Sequence, residues 1–243
     1  MYLSRPNGPT GLIVGHRGLR LTYPDNSQEG ILAASAVCDM VEFDVRRTRD
    51  GVAVLAHDPQ IGDHTIIDTD WPALAKLDLG QGLHPALLDE VLGAAEGAPF
   101  NFEIKNSPAD PDFDDSFAFA REVAGRASEH DVVTSFHWQT VDAVHLAFPK
   151  LTTGLLVDIV GSLEEAVAWA GKSGHRVVAP HWSLLGDDPA ATVARLVDSE
   201  LQVFVWTVND EEVARQAVAG GATAIITDDP VRIRGAVNGE EQE

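Results

Sequence analysis

Cysteine is almost missing from this chain. Cys38 is the one thiol in 243 residues, so no disulfide can form within the chain, and a reducing compartment suits it. Lying at the end of the Ala-rich stretch Ile31 to Val37, it reads as a small buried hydrophobe. Basic residues are scarce as well: 17 Lys and Arg stand against 38 Asp and Glu, a formal net charge of -21. Nucleic acid and anionic membrane both require a basic footprint, so neither is expected as the main partner. A phosphate-bearing small molecule stays open, because a metal ion with two or three basic groups reverses the field locally. Long apolar runs are lacking too. Nothing approaches the roughly 20 residues that cross a bilayer, and Met1 to Pro6 carries no cationic segment ahead of an apolar one. A cytoplasmic protein without stable membrane association is the expectation. No linker or low-complexity segment interrupts the chain before its polar tail after Val237, and its length is near the ~250 residues of a (β/α)8 barrel. One domain over 1–243 follows.

What is present is alternation. Short β-rich runs occupy Gly11 to Gly15, Met40 to Asp44, Pro99 to Lys105, Val132 to Phe136, Thr153 to Val157, Arg176 to Ala179, Gln202 to Thr207 and Ala222 to Thr227. Helical patterns lie between most of them, among them Ser27 to Val37, Leu163 to Lys172, Ala190 to Val197 and Asp210 to Ala219. Asn209 is expected to cap the last of these, with Asp210, Glu211 and Glu212 on the positive end of its dipole. Eight runs with helices between them predict an α/β fold, a (β/α)8 TIM barrel. One segment breaks the rule. From Asp44 to Val52 the chain is too short for a crossover helix, and Asp50-Gly51 signals a hairpin. Val52 to Ala56 is therefore expected to return antiparallel along the second strand. Residues 58–84 then form a short cap insertion with little regular pattern.

Polar groups cluster where strands should end, which in such barrels is the face that carries active sites. Glu42 and Asp44 alternate on one strand, about 6–7 Å apart, and Glu103 and Lys105 do the same on the next. Phe43 and Ile104, between them, should face the helices. Three carboxylates aimed into one mouth cannot all stay ionised without a counterion, and an all-oxygen set suits Mg2+ or Ca2+. An ion pair within the strand is the other reading of Glu103 and Lys105. His16 and His57 are candidate acid and base; the remaining seven histidines have no comparable setting. Arg17, in a Gly-bounded turn, can grip phosphate oxygens bidentately.

In order along the chain, Gly15-His16-Arg17-Gly18, Pro24-Asp25-Asn26, Glu42-Phe43-Asp44-Val45, Asp50-Gly51, His57-Asp58, Glu103-Ile104-Lys105, Ser135-Phe136, Trp206-Thr207-Val208-Asn209 and Thr227-Asp228-Asp229-Pro230 resemble the glycerophosphodiester phosphodiesterase family. The resemblance implies one divalent ion, Mg2+ or Ca2+, held by Glu42, Asp44 and Glu103. It implies His16 and His57 as the catalytic pair, and Arg17 and Lys105 as phosphate ligands. Trp206 would either pack against substrate or pack beneath the following helix. The expected reaction is hydrolysis of a small phosphodiester to glycerol phosphate and an alcohol. Two departures stand out: Asp25 where the family commonly has Glu, and the bulky His137-Trp138 pair, expected to narrow the mouth. A lysophospholipid-cleaving enzyme of the same barrel would need an apolar lip, for which Ile61, Ile66, Ile67 and Trp71 are the candidates. A non-catalytic metal- or phosphate-binding barrel would be expected to have lost one of the seven site residues other than Trp206; this chain keeps them all.

Overall fold

The computed structural model describes residues 11–95 and 97–239; the opening Met1 to Pro6 and the last four residues of the tail lie outside them. Eight parallel strands form a closed barrel: β1 (Leu12–His16), β2 (Met40–Arg47), β3 (Phe100–Ile104), β4 (Val132–Ser135), β5 (Thr152–Val157), β6 (Val177–Pro180), β7 (Gln202–Val205) and β8 (Ala224–Thr227). Closure is made by β1, which pairs in parallel with both β2 and β8. Each strand is followed by a helix: α1 (Gln28–Ser35), α2 (Leu88–Ala94), α3 (Ala118–Ala124), α4 (Trp138–Ala147), α5 (Leu163–Ser173), α6 (Pro189–Val197), α7 (Glu211–Ala219) and α8 (Pro230–Asn238). The alternation read from sequence is the architecture found, with ends moved by a few residues. The largest extension is β2, which continues to Arg47 because a partner returns along it.

That partner is the arm Ala53–Leu55, antiparallel to β2 in the register Arg46 with Val54 and Arg47 with Ala53. The hairpin expected at Asp50-Gly51 is present, and Gly51 supplies a positive φ of 83° at the turn. The cap has more order than its sequence suggested. Gln60–Ile61 pairs with His64–Thr65, one helical turn spans Trp71–Leu74, and Ile61, Ile66 and Leu74 pack with Val54 and Ala56 into a small core. Asn209 does not cap α7. Asp210 does, accepting from the N–H groups of Glu212 and Val213, while the Asn209 side chain turns to Thr227 and Asp228. A carboxylate one residue closer to the first turn reaches two orphan donors and suits the dipole.

Side chains alternate across each strand, and this places the site. Outside, Phe43 packs edge-on to Phe102 at 4.8 Å, in one cluster with Ile104 and the helical residues Ala120 and Val123. Inside, Leu12, Val14, Met40, Phe204 and Ile226 fill the barrel floor. Two residues further along these inward rows the chain becomes polar. His16 follows Val14, Glu42 follows Met40, Trp206 follows Phe204 and Asp228 follows Ile226. An apolar floor under a polar rim is the result.

Candidate active site

Strand register does the first part of the assembly. Between β1 and β2, His16 stands opposite Glu42. Between β2 and β3, Asp44 stands opposite Glu103. Neighbouring strands lie about 4.8 Å apart, so the three carboxylates converge. Glu42, Asp44 and Glu103 each offer an oxygen within 4.8 Å of the others, and all three are buried.

Two cations offset this charge. The Lys105 ammonium lies 2.9 Å from Asp44 Oδ1 and is also in contact with Glu103. The Arg17 backbone N–H donates to Glu42 Oε2 at 2.9 Å, and its Nε lies 3.2 Å from Asp44 Oδ2. Arg17 takes a left-handed φ of 55° to do this and is followed by Gly18 at 88°. A Cβ on Gly18 would come within 2.7 Å of the Gly30 backbone, so this turn requires glycine. Asn26, fully enclosed, donates to Asp44 Oδ2 at 2.8 Å and accepts from the Asp44 N–H. Asp25 is long enough to meet Arg17 Nη1 at 3.1 Å and Arg20 Nε at 3.0 Å.

The carboxyls respond differently to this setting. Burial, then Asp44 and Glu103, push Glu42 well above the usual carboxylate range. For Asp44 burial acts in the same direction but is outweighed by Lys105 and Arg17, which hold it below that range. Lys105 is raised by Glu103 and Asp44 against the opposing effect of its burial. Glu42 Oε1 is buried and has no hydrogen-bond partner. An orphaned carboxyl oxygen inside an all-oxygen set fits a hard divalent cation, which would also favour the ionised form that burial opposes.

Both candidate histidines have Nδ1 against a carboxylate at 2.7 Å: His16 on Asp228, and His57 on Asp58. With Nδ1 so engaged, Nε2 is the other nitrogen of each ring able to carry a proton. Burial would raise Asp228, but the hydrogen bonds from His16 and Asn209 prevail and hold it at about 2. Across the mouth, Lys105, His57, Phe136, Trp138 and Trp206 line a cleft of about 660 Å3. Trp206 packs edge-on to Phe136 at 5.3 Å and to His181 at 5.0 Å, and its indole N–H donates to the Ala179 carbonyl. Trp138 lines the same cleft. His137 turns away, between Phe113 and Phe117.

All eight residues singled out from sequence thus lie at one end of the barrel. Asp228, Phe136, His181 and Arg46 were given no place in the site. Asp228, His181 and Arg46 stand two residues beyond Ile226, Ala179 and Asp44 on their inward rows, which is the signal that finds them; Phe136 follows Val132 by four, past Thr134, and carries no such signal. Of the proposed lip, Ile61 and Ile66 are consumed by the cap's own core.

Three buried carboxylates, two cations and two carboxylate-held imidazoles thus gather on the rim where barrels of this kind carry their active sites. The comparisons narrow this. Residues 16–232 match the glycerophosphoryl diester phosphodiesterase family. A protein of Mycobacterium tuberculosis named probable glycerophosphodiester phosphodiesterase 2 is 30% identical, over 89% of this chain and 87% of its own. The glycerophosphodiester phosphodiesterase of Caldanaerobacter subterraneus is 25% identical, over 90% and 94%. Among solved structures, a phosphodiesterase of Oleispira antarctica in complex with the product sn-glycerol-3-phosphate superposes with a TM-score of 0.78 at 22% identity, over 94% and 97% of the two chains. The chain belongs to the glycerophosphoryl diester phosphodiesterase family, a family of phosphoric diester hydrolases.

Proposed function

We propose that this protein hydrolyses small deacylated glycerophosphodiesters, such as glycerophosphocholine, in a metal-dependent reaction that gives glycerol phosphate and an alcohol. The observation that carries it is the convergence of Glu42, Asp44 and Glu103 within 4.8 Å, with one buried oxygen left unpartnered. These three residues would hold one divalent cation, Mg2+ or Ca2+. When bound, that ion supplies Lewis-acid neutralisation of a non-bridging phosphate oxygen.

The remaining work belongs to the chain's own groups. Arg17 and Lys105 orient the phosphate and offset its charge as the transition state forms. One imidazole Nε2 takes the proton of the attacking hydroxyl, either water or the substrate's neighbouring hydroxyl. As the new P–O bond forms, the bond to the leaving alcohol breaks, and the other imidazole gives that oxygen a proton. With the neighbouring hydroxyl, a cyclic phosphate forms first and water then opens it. Asp228 and Asp58 hold the rings and stabilise whichever becomes imidazolium. Trp206 and Phe136 give the ester's organic arm an apolar wall. The Oleispira complex, with glycerol phosphate in a similar barrel, supports the identity of the retained product.

Loss of Ile61 and Ile66 to the cap's core favours the deacylated substrate over a lysophospholipid, whose acyl chain would be left with Ile67 and Trp71 of the four lip candidates. Chelation and dialysis should abolish turnover of glycerophosphocholine, with Mg2+ or Ca2+ restoring it. Full activity in exhaustively stripped protein contradicts the reading. Glu42→Gln should mainly weaken metal binding. An unchanged calorimetric titration would remove Glu42 from the ligand set.

A further inference from the structure

We propose that Arg46 is a positioning residue that sets His57 over the reacting phosphate, an inference that rests on the catalytic reading of His57 given above. Arg46 follows Asp44 on the same inward row of β2 and lines the cleft beside His57 and Lys105. A guanidinium there would ordinarily be taken for a phosphate ligand. Its contacts argue otherwise. Nε donates to the His57 carbonyl at 2.8 Å, Nη1 to both oxygens of Asp112 at 2.8 and 2.9 Å, and Nη2 to Asp110 at 2.9 Å. All three nitrogens are engaged, and the residue is 3% exposed.

The clamp joins three pieces of chain. Arg46 itself belongs to the strand that carries Glu42 and Asp44. Asp110 and Asp112 sit on the loop after β3, a few residues beyond Lys105. That loop is pinned in turn by Asn106, which donates to the Asp114 carbonyl and to Thr140 and accepts from the Asp114 N–H. The third piece is the bend after the return arm, where His57 lies outside any strand. Its imidazole is hydrogen-bonded to the neighbouring Asp58, which is 76% exposed at the side chain. A pair in that much water fixes a ring weakly. The buried Nε to carbonyl bond therefore locates His57 relative to the carboxylates. A displacement on the order of 1 Å at such a point costs about 100-fold in rate.

A merely structural clamp would lower stability alone, whereas a positioning clamp acts on rate through His57. The test is a double-mutant cycle with purified, metal-loaded enzyme on glycerophosphocholine, well below the melting temperature of each variant. Arg46→Lys keeps the charge but cannot span the three partners, and Asp110→Asn is the milder second variant should Lys fail to fold. Either should lower kcat, by about 10- to 100-fold for Lys, with KM and calorimetric metal affinity unchanged. In a His57→Ala background the same substitution should cost nothing more, because the group it positions is gone. Losses that multiply in that background, a raised KM, or wild-type kcat in both clamp variants would overturn the proposal and leave His57's role standing. A His57→Ala enzyme at wild-type rate would instead remove the catalytic reading, and the clamp's purpose with it.

Discussion

The two histidines at the mouth are held in contrasting ways. His16 ends a barrel strand, and its side chain is 11% exposed; Asp228, at 18%, grips it from the end of β8 with Arg20 on the same oxygen. Barrel closure itself brings that pair together, since β1 and β8 are neighbours only because the sheet is closed. His57 lies on a bend, 40% exposed, against an adjacent and still more exposed Asp58. One ring is held by a carboxylate that barrel closure supplies, the other by the carboxylate of its own chain neighbour. The lesson is that equal Nδ1 distances, 2.7 Å in both, do not mean equal restraint. A hydrogen bond between exposed groups contributes little, whereas a largely shielded one to a carboxylate resists displacement.

Substitutions can break this comparison at graded strength. Alanine at His16 or His57 should have the largest effect, a loss on the order of 10²–10⁴-fold in kcat with circular dichroism unchanged. A near-wild-type rate in either variant would return that residue to an ordinary rim histidine. Asp228→Asn should come next, with about a 10- to 100-fold loss expected of a partly buried orienting partner. Asp58→Asn, in water, should lose no more than about fivefold, corresponding to at most ~1 kcal/mol. Equal losses in the two Asn variants would erase the distinction.

The smallest expected effect is on acid stability. Asp228 is held at about 2 in the folded protein against an ordinary 3.8. Its contribution is therefore complete above pH 3.8 and is lost as pH falls toward about 2. The difference in urea midpoint between wild type and Asp228→Asn should shrink through that window. A difference independent of pH there would mean that the carboxylate is not what stabilises His16.

The same contrast explains what could be read from sequence. His57-Asp58 is visible as a dipeptide, and Glu42-Phe43-Asp44 and Glu103-Ile104-Lys105 show their shared face through period-two spacing alone. Eight alternating runs gave the barrel. The partnership of His16 with Asp228 joins residues 212 positions apart, and only closure reveals it. Arg46 was hidden differently. In Arg46-Arg47-Thr48-Arg49 it looks like one member of a solvated basic turn, and its buried bidentate pair with Asp112 depends on a loop whose course no periodicity encodes. Asn209 was misjudged by one residue because Asp210 competes for the same cap. The cap's core escaped notice because Ile61, Ile66 and Leu74 are spaced irregularly and meet only through tertiary packing.

In the proposed mechanism two separately held imidazoles share one proton-transfer cycle as acid and base. The most direct measurement is the pH dependence of kcat/KM for metal-loaded wild type, His16→Ala and His57→Ala on glycerophosphocholine. Wild type should give a bell, each variant should lose one limb of it, and the two variants should lose opposite limbs. Loss of the same limb by both, or a bell that survives in either, would contradict it.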